Sequence, residues 1–190
     1  KGAKLLKEKF NVEIIIMDDG FQHRKLKKTM NIVLVDATNP FGDDNYLPKG
    51  RLRESLEEIK RADKIIITKS NYINKFQLRR IFERLEKYNK EILLSKYREE
   101  SFYDQSKKKY ALSILNDKNE LIFSSIANPK VFNQTIERLT PTSIKEIIFT
   151  DHHLYSNEEI KRIVNESRDY DYTVTTEKDI VRINGRIDDL

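Results

Sequence analysis

The residues best suited to chemistry lie near the start of the chain, in the string Asp18, Asp19, Gly20, Phe21, Gln22, His23. They follow Val12, Ile14, Ile15, Ile16 and Met17, five apolar residues in a run of six. Such a run reads as a short buried strand, because a central parallel strand can be apolar on both faces. Two adjacent carboxylates at the end of a buried strand are costly unless a cation or hydrogen bonds receive them. In phosphoryl-transfer enzymes of the P-loop kind, an Asp at this place holds Mg²⁺, directly or through water. Gly20 permits a sharp turn, and Gln22 and His23 add polar reach beside the carboxylates. The competing reading is a strand ended by an Asp-Gly turn.

A second candidate is LPKGRLRE at residues 47–54, with Lys49, Arg51, Arg53 and Glu54 where a loop meets a helix. Arginine forks suit phosphate oxygens, and a helix N-terminus attracts anions. Against this stands an ordinary charged helix start. The histidines are His23, His152 and His153, and the last two lie in FTDHHLY at residues 149–155, after an apolar stretch and before a capped helix. A His beside Asp151 can orient or relay a proton. The alternative is a pair of loop histidines serving as cap and surface residues.

DDGFQH, followed by a second strand, closely resembles the signature of the tetraacyldisaccharide 4′-kinases, the lipid A 4′-kinases. LPKGRLRE, SSIANPKVF at residues 124–132, FTDHHLY and TTEKD at residues 175–179 resemble the same family in the same order, over nearly the whole chain. The resemblance implies ATP- and Mg²⁺-dependent phosphorylation of the 4′-hydroxyl of a tetraacylated glucosamine disaccharide 1-phosphate, which makes lipid IVA. It implies that Asp18, Asp19 and Glu54 serve the metal, and that Arg53, Glu54, Gln22 and His23 serve the nucleotide. Arg53 would neutralise developing phosphate charge. Asp19 would act in catalysis together with Arg53 and His152. The family's His supports a catalytic Asp acting on the sugar hydroxyl, and that role falls on His152, less directly on His153. SSIANPKVF and TTEKD read mainly as architecture of a second domain.

No G-x-x-x-x-G-K-[ST] phosphate loop occurs in these residues. The family carries that loop, a proposed catalytic-base Asp and an amphipathic membrane-contact helix upstream of DDGFQH. The expectation is therefore a segment of the enzyme, inactive alone, from a peripheral protein on the cytoplasmic face of the bacterial inner membrane. Lys1, which is not an initiator Met, agrees with an internal start.

The elements that must position these groups alternate. Strands are expected at residues 31–36, 63–68 and 91–97, with helical spacing at Leu52, Leu56, Ile59 and Ala62 and again at Leu78, Ile81, Phe82 and Leu85. Alternating strands and helices imply a parallel sheet. Residues 98–109 are polar, and residues 110–115 and 120–123 read as a hairpin around Asn116, Asp117, Lys118 and Asn119. The remainder is again α/β. Asn128 and Pro129 form a helix start, and Ser156 with Glu159 makes a capping-box pattern with Tyr155 and Ile160 as its staple. The expected fold is α/β: the second half of a P-loop-like parallel-sheet domain (1–98), a hairpin-like link (99–123) and a smaller α/β domain (124–190). The active site is expected in the cleft between the two domains.

Composition narrows the alternatives. The absence of Cys excludes disulfides and thiolate metal sites, and no apolar run approaches the roughly 20 residues of a membrane span. The net charge of +5 would suit phosphorylated substrates, an anionic membrane or nucleic acid. A nucleic-acid module predicts a clustered basic face, whereas EEIKRADK and RRIFERLEK interleave the two signs. The reading is no nucleic acid. A GTPase is the other rival, since Thr68, Lys69, Ser70 and Asn71 approach the T-K-x-D that reads guanine, but Asn71 stands where the carboxylate should be.

Overall fold

The computed structural model describes residues 2–183. The chain forms two compact units, Lys1–Tyr97 and Arg98–Leu190.

In the first unit, helix α1 (Gly2–Phe10) buries none of its residues. Strands β1 (Ile32–Asp36), β2 (Lys64–Thr68) and β3 (Glu91–Leu94) then form a parallel sheet in the order β1-β2-β3. In β2 the side chains alternate, so that Ile65 and Ile67 are fully buried while their neighbours are partly covered. They meet Val35, Ile59, Ile81, Leu85 and Tyr88 in one core. Helix α2 (Lys75–Leu85) buries Ile81 and Leu85, one turn apart. Its start is fixed by a reciprocal capping box: Asn74 accepts from the Gln77 N–H and Gln77 accepts from the Asn74 N–H. Parallel register sets Asp36 opposite Thr68. There Lys69 and Thr38 both hydrogen-bond the Asp36 carboxylate. Burial alone would raise that carboxyl, but these bonds outweigh it and hold it below the usual range.

Three expectations for this unit and the link need correction. Residues 12–17 form no strand, and Ile14 and Ile16 are 79% and 91% exposed. An apolar run becomes a strand only where a neighbour takes its backbone hydrogen bonds, and among the described residues none pairs with it. Leu56–Arg61 is a 3₁₀ helix, with Ser55 accepting from the Glu57 N–H, in place of the expected α-helical stretch. Its i+3 bonds suit a single short connection into β2. The hairpin is also displaced: β4 (Phe102–Tyr103) pairs antiparallel with β5 (Lys109–Tyr110). Asp104 closes it by accepting from the Ser106 hydroxyl, the Lys108 N–H and the Tyr110 hydroxyl.

In the second unit, β6 (Asn119–Ser124) lies between β7 (Ser143–Ile148) and β8 (Tyr172–Val174), all parallel. Leu121, Ile122 and Phe123 are all buried, so β6 is covered on both faces. Helices α3 (Pro129–Glu137), α4 (Asn157–Ser167) and α5 (Glu177–Ile183) complete it. Both bonds of the Ser156–Glu159 capping box are present, and its staple residues Tyr155 and Ile160 are buried in one core. Pro129 opens α3 as expected, but Asn128 makes no side-chain capping bond there.

Glu120 on β6 is fully buried, and neither carboxylate oxygen has a hydrogen-bond partner among the described residues. Burial, with repulsion from Asp171 and partial relief from Lys118, pushes its carboxyl up to about 7. A raised folded-state value means its contribution to stability is complete below the ordinary value of 4.5 and is lost as pH rises through about 7. Thermal unfolding at a series of pH values should show Glu120→Gln flattening this loss, which has a limiting slope of about 1.4 kcal/mol per pH unit. Parallel profiles for the two proteins would contradict the assignment.

Candidate functional site

In the first unit, the Asp18–Asp19 turn is held against the segment around Arg53. Asp19 adopts a left-handed backbone (φ 49°), and its N–H donates to the Asp18 carboxylate at 3.0 Å. Arg53 Nη1 lies 2.7 Å from Asp19 Oδ2 and 3.4 Å from Gln22 Oε1. The hydrogen bond to Asp19 holds the Arg53 guanidinium above its already high ordinary value. Arg53 and Asp19 are both well exposed, so their ion pair contributes little stability and is readily exchanged.

Two cations support this turn. Lys28 Nζ donates to the carbonyls of Gly20 at 2.7 Å and His23 at 3.1 Å. Arg61 lies over the Phe21 ring at 4.3 Å and donates to the Phe21 carbonyl at 3.1 Å. The same guanidinium holds Glu54 Oε2 at 2.7 Å, while Arg24 lies 3.5 Å from Glu54 Oε1 and 3.0 Å from Glu58 Oε2. Glu54 therefore faces two arginines. The structure brings Asp19, Gln22 and Arg53 together, leaves the His23 ring exposed, and directs Glu54 elsewhere. Among the described residues no three His, Cys, Asp or Glu side chains converge as a metal cluster, so Asp18, Asp19 and Glu54 do not form one here.

The arginine segment is presented by a tight turn. Gly50 N–H donates to Tyr46 O, and Leu52 N–H donates to Asn45 O, both at 3.0 Å. A Cβ at Gly50 would collide with the carbonyls of Asn45 and Gly42, so only glycine fits. Lys49 and Arg51 on this turn are exposed.

In the second unit the two adjacent histidines diverge. His153 stacks on Phe149 at 4.9 Å, and its Nε2 lies 2.9 Å from Glu159, the residue that also completes the α4 cap. It is engaged in structure. His152 has a left-handed backbone (φ 60°) and an 81% exposed side chain. Its Nε2 is 3.8 Å from Asp151 Oδ2, and its Nδ1 is 3.1 Å from Arg182 Nη2.

Beneath His152 lies a polar group built from SSIANPKVF and TTEKD, the two strings that read mainly as architecture. Ser125 and Asp179 are both fully buried. Asp179 Oδ1 accepts from the Ser125 N–H at 3.1 Å, the Ser125 hydroxyl and the Tyr155 hydroxyl at 3.0 Å, and Oδ2 accepts from Thr176 Oγ1 at 2.7 Å. Burial would raise this carboxyl, but the donors outweigh it and keep it below the usual range. The one sequence signal for it is the Thr176-x-x-Asp179 spacing at a helix start.

A family model described as tetraacyldisaccharide-1-P 4'-kinase matches residues 1–189. The chain belongs to the tetraacyldisaccharide 4′-kinase family. Curated tetraacyldisaccharide 4'-kinases from Halothermothrix orenii and Bdellovibrio bacteriovorus are 33% and 35% identical to it, over 97% and 98% of this chain. The alignments cover 52% and 56% of those relatives, so the chain spans about half their length. A crystal structure of LpxK from Aquifex aeolicus in complex with ATP is similar with a TM-score of 0.60 and 26% identity, over 97% of this chain and 53% of that one. Membership of the kinase family leaves the guanine-reading alternative without support, and the geometry agrees. Asn71 spends its side chain on Tyr97, donating to its carbonyl and accepting from its N–H, both at 3.0 Å.

Arg61 is one of the two cations that hold the DDGFQH turn of this kinase-family chain. Arg61→Ala should lower hydrogen-exchange protection of the His23 and Leu26 amides, which close the turn. Loss of a charge-assisted bond of about 1.5 kcal/mol corresponds to roughly tenfold faster exchange. Unchanged exchange at both amides would show that Arg61 does not hold the turn.

Proposed function

We propose that this chain is part of a longer kinase that transfers the γ-phosphoryl group of ATP to the 4′-hydroxyl of tetraacyldisaccharide 1-phosphate, giving lipid IVA. In this reading the first unit is the C-terminal part of the kinase core and the second is a smaller α/β domain. The observation that carries the proposal is the Asp18–Asp19 turn held against Arg53 in a chain of this family. Such a transfer needs mainly positioning and charge stabilisation, and this is what these groups can offer.

Arg53 would bind phosphate. Its present partner Asp19 meets one nitrogen of the fork, where a phosphate oxygen would also fit, and the exposed pair exchanges at small cost. The donor set also fits Mg²⁺, a hard cation held by one or two carboxylates together with substrate phosphates and water. Asp18 and Asp19 would be its ligands, and Glu54 would join them on leaving Arg61 and Arg24. Bound magnesium supplies neutralisation of charge on the phosphate oxygens. Gln22 and His23 would contact the nucleotide beside Arg53. His152 would support the aspartate that takes the hydroxyl proton.

The substrate carries four acyl chains, so the enzyme would meet it at a membrane surface, as a peripheral protein on the cytoplasmic face of the bacterial inner membrane. Among the described residues no helix is long and apolar enough to cross a membrane.

In the full-length kinase, Asp18→Ala or Asp19→Ala should lower kcat by about 100-fold or more for at least one of them, with the melting temperature retained. Near wild-type turnover of both variants at limiting Mg²⁺ would remove the metal assignment. Arg53→Lys keeps the charge and loses the fork, so steady-state kinetics should show a larger drop than for Arg51→Lys. Equal and negligible effects would return residues 47–54 to a solvated turn.

A further inference from the structure

We infer that Arg182, anchored on Ser125 and Asp179, is a positioning residue that fixes the orientation and tautomer of the His152 ring; the inference rests on the proposed role of His152.

The starting point is the buried Asp179 carboxylate. Its hydrogen-bond donors Ser125, Tyr155 and Thr176 are neutral, and the cation beside it is Arg182, with Nη1 at 3.4 Å from Oδ1. That same Nη1 donates to the Ser125 carbonyl at 2.7 Å and approaches the Ser125 hydroxyl at 2.6 Å. A guanidinium is planar and rigid, so fixing Nη1 on Ser125 also fixes where Nη2 points. Nη2 then meets His152 Nδ1 at 3.1 Å.

The main chain is fixed by the same residue. The Ser125 carbonyl that receives Arg182 also accepts the His152 N–H, at 3.2 Å, where His152 holds its left-handed backbone. Backbone and ring of His152 are thus registered to one buried residue at the end of β6.

Proton bookkeeping gives the chemical consequence. Guanidinium nitrogens only donate, so Nδ1 must accept and carries no proton. In the neutral ring the proton then lies on Nε2, the edge directed away from Arg182. A histidine held in this way offers an Nε2–H donor to a carboxylate, the logic by which a hydrogen bond on one ring nitrogen sets the role of the other. Stability alone does not account for the contact: His152 is 81% exposed, and a hydrogen bond at such a site adds little to folding.

The test is a double-mutant cycle in the full-length kinase. Arg182→Met should lower kcat on the order of tenfold, the usual cost of losing an outer-shell partner, with KM for ATP unchanged. In a His152→Ala background the same change should lower kcat no further. Should Arg182→Met fail to fold, Arg182→Lys decides. Lysine keeps a cation near Asp179 but cannot span Ser125 and His152 together, so the melting temperature should stay near wild type while kcat stays low. Equal losses of kcat with and without His152, or full kcat in Arg182→Lys, would overturn the inference. A wild-type kcat in His152→Ala would instead sink the parent reading. The orientation claim is then decided by imidazole ¹⁵N shifts, expected to show the Nε2–H tautomer in the wild type and a tautomer mixture in Arg182→Lys. Identical shifts in the two proteins would overturn it.

Discussion

A carboxyl with no access to water keeps its charge at ordinary pH only where donors surround it, as Glu120 without donors shows by its raised value, and Asp179 imposes that condition on the second unit. To meet it, the residue after β6 supplies the Ser125 N–H and hydroxyl, the approach to α4 supplies Tyr155, the residue before α5 supplies Thr176, and α5 itself supplies Arg182. The loop bearing His152 lies on the same Ser125 carbonyl. One buried charge thereby ties three separated stretches of chain to the position of a single exposed histidine. Tyr155 serves twice, since its ring also packs edge-on against Phe123 and Phe149 in the core. Burial, and then the Asp179 charge beside it, pushes the ionisation of this hydroxyl up.

The first unit holds its turn with charges that are partly buried or exposed. Arg61 binds Glu54, Glu58 and the Phe21 carbonyl, and Arg24 closes the group from the other side. The partly buried members of this network fix the backbone of the turn, while the Arg53–Asp19 pair above it stays in water and is exchangeable. The partly buried contacts hold the frame, and the exposed pair would be the one to face a ligand. That division suits a site whose groups must change partners during phosphoryl transfer.

Part of this was legible in the sequence, the two charged strings of the first unit through their resemblance to one family and the helix caps through spacing alone. The strings around Asp18–Asp19 and Arg53 come together although they are more than 30 positions apart. The Ser156–Glu159 box forms as its spacing requires, because capping is decided by four consecutive residues. What failed depended on neighbours. Residues 12–17 carry the pattern of a strand buried on both faces, but β6 realises it, because Ile160 and Ile163 pack with Leu121 and Phe123 in one core while Leu115 and Ile136 pack with Ile122 in another. The hairpin was misplaced for the same reason: residues 119–124 pair in parallel with distant strands, and no local turn signal reports that. Asp179 escaped notice because a charged residue near a helix start looks solvated until its burial is known. His152 and His153 were indistinguishable by type, and only the stacking of His153 on Phe149 and its bond to Glu159 separate them.

These groups are proposed to serve a phosphoryl transfer onto a sugar hydroxyl. The most direct measurement is ³¹P NMR of the product formed when the full-length kinase is incubated with ATP, Mg²⁺ and tetraacyldisaccharide 1-phosphate. One new phosphomonoester resonance is expected, with proton coupling that places it on the 4′ carbon, beside the unchanged 1-phosphate. Release of inorganic phosphate from ATP with no new phosphomonoester, or a phosphoester on another position, would contradict it.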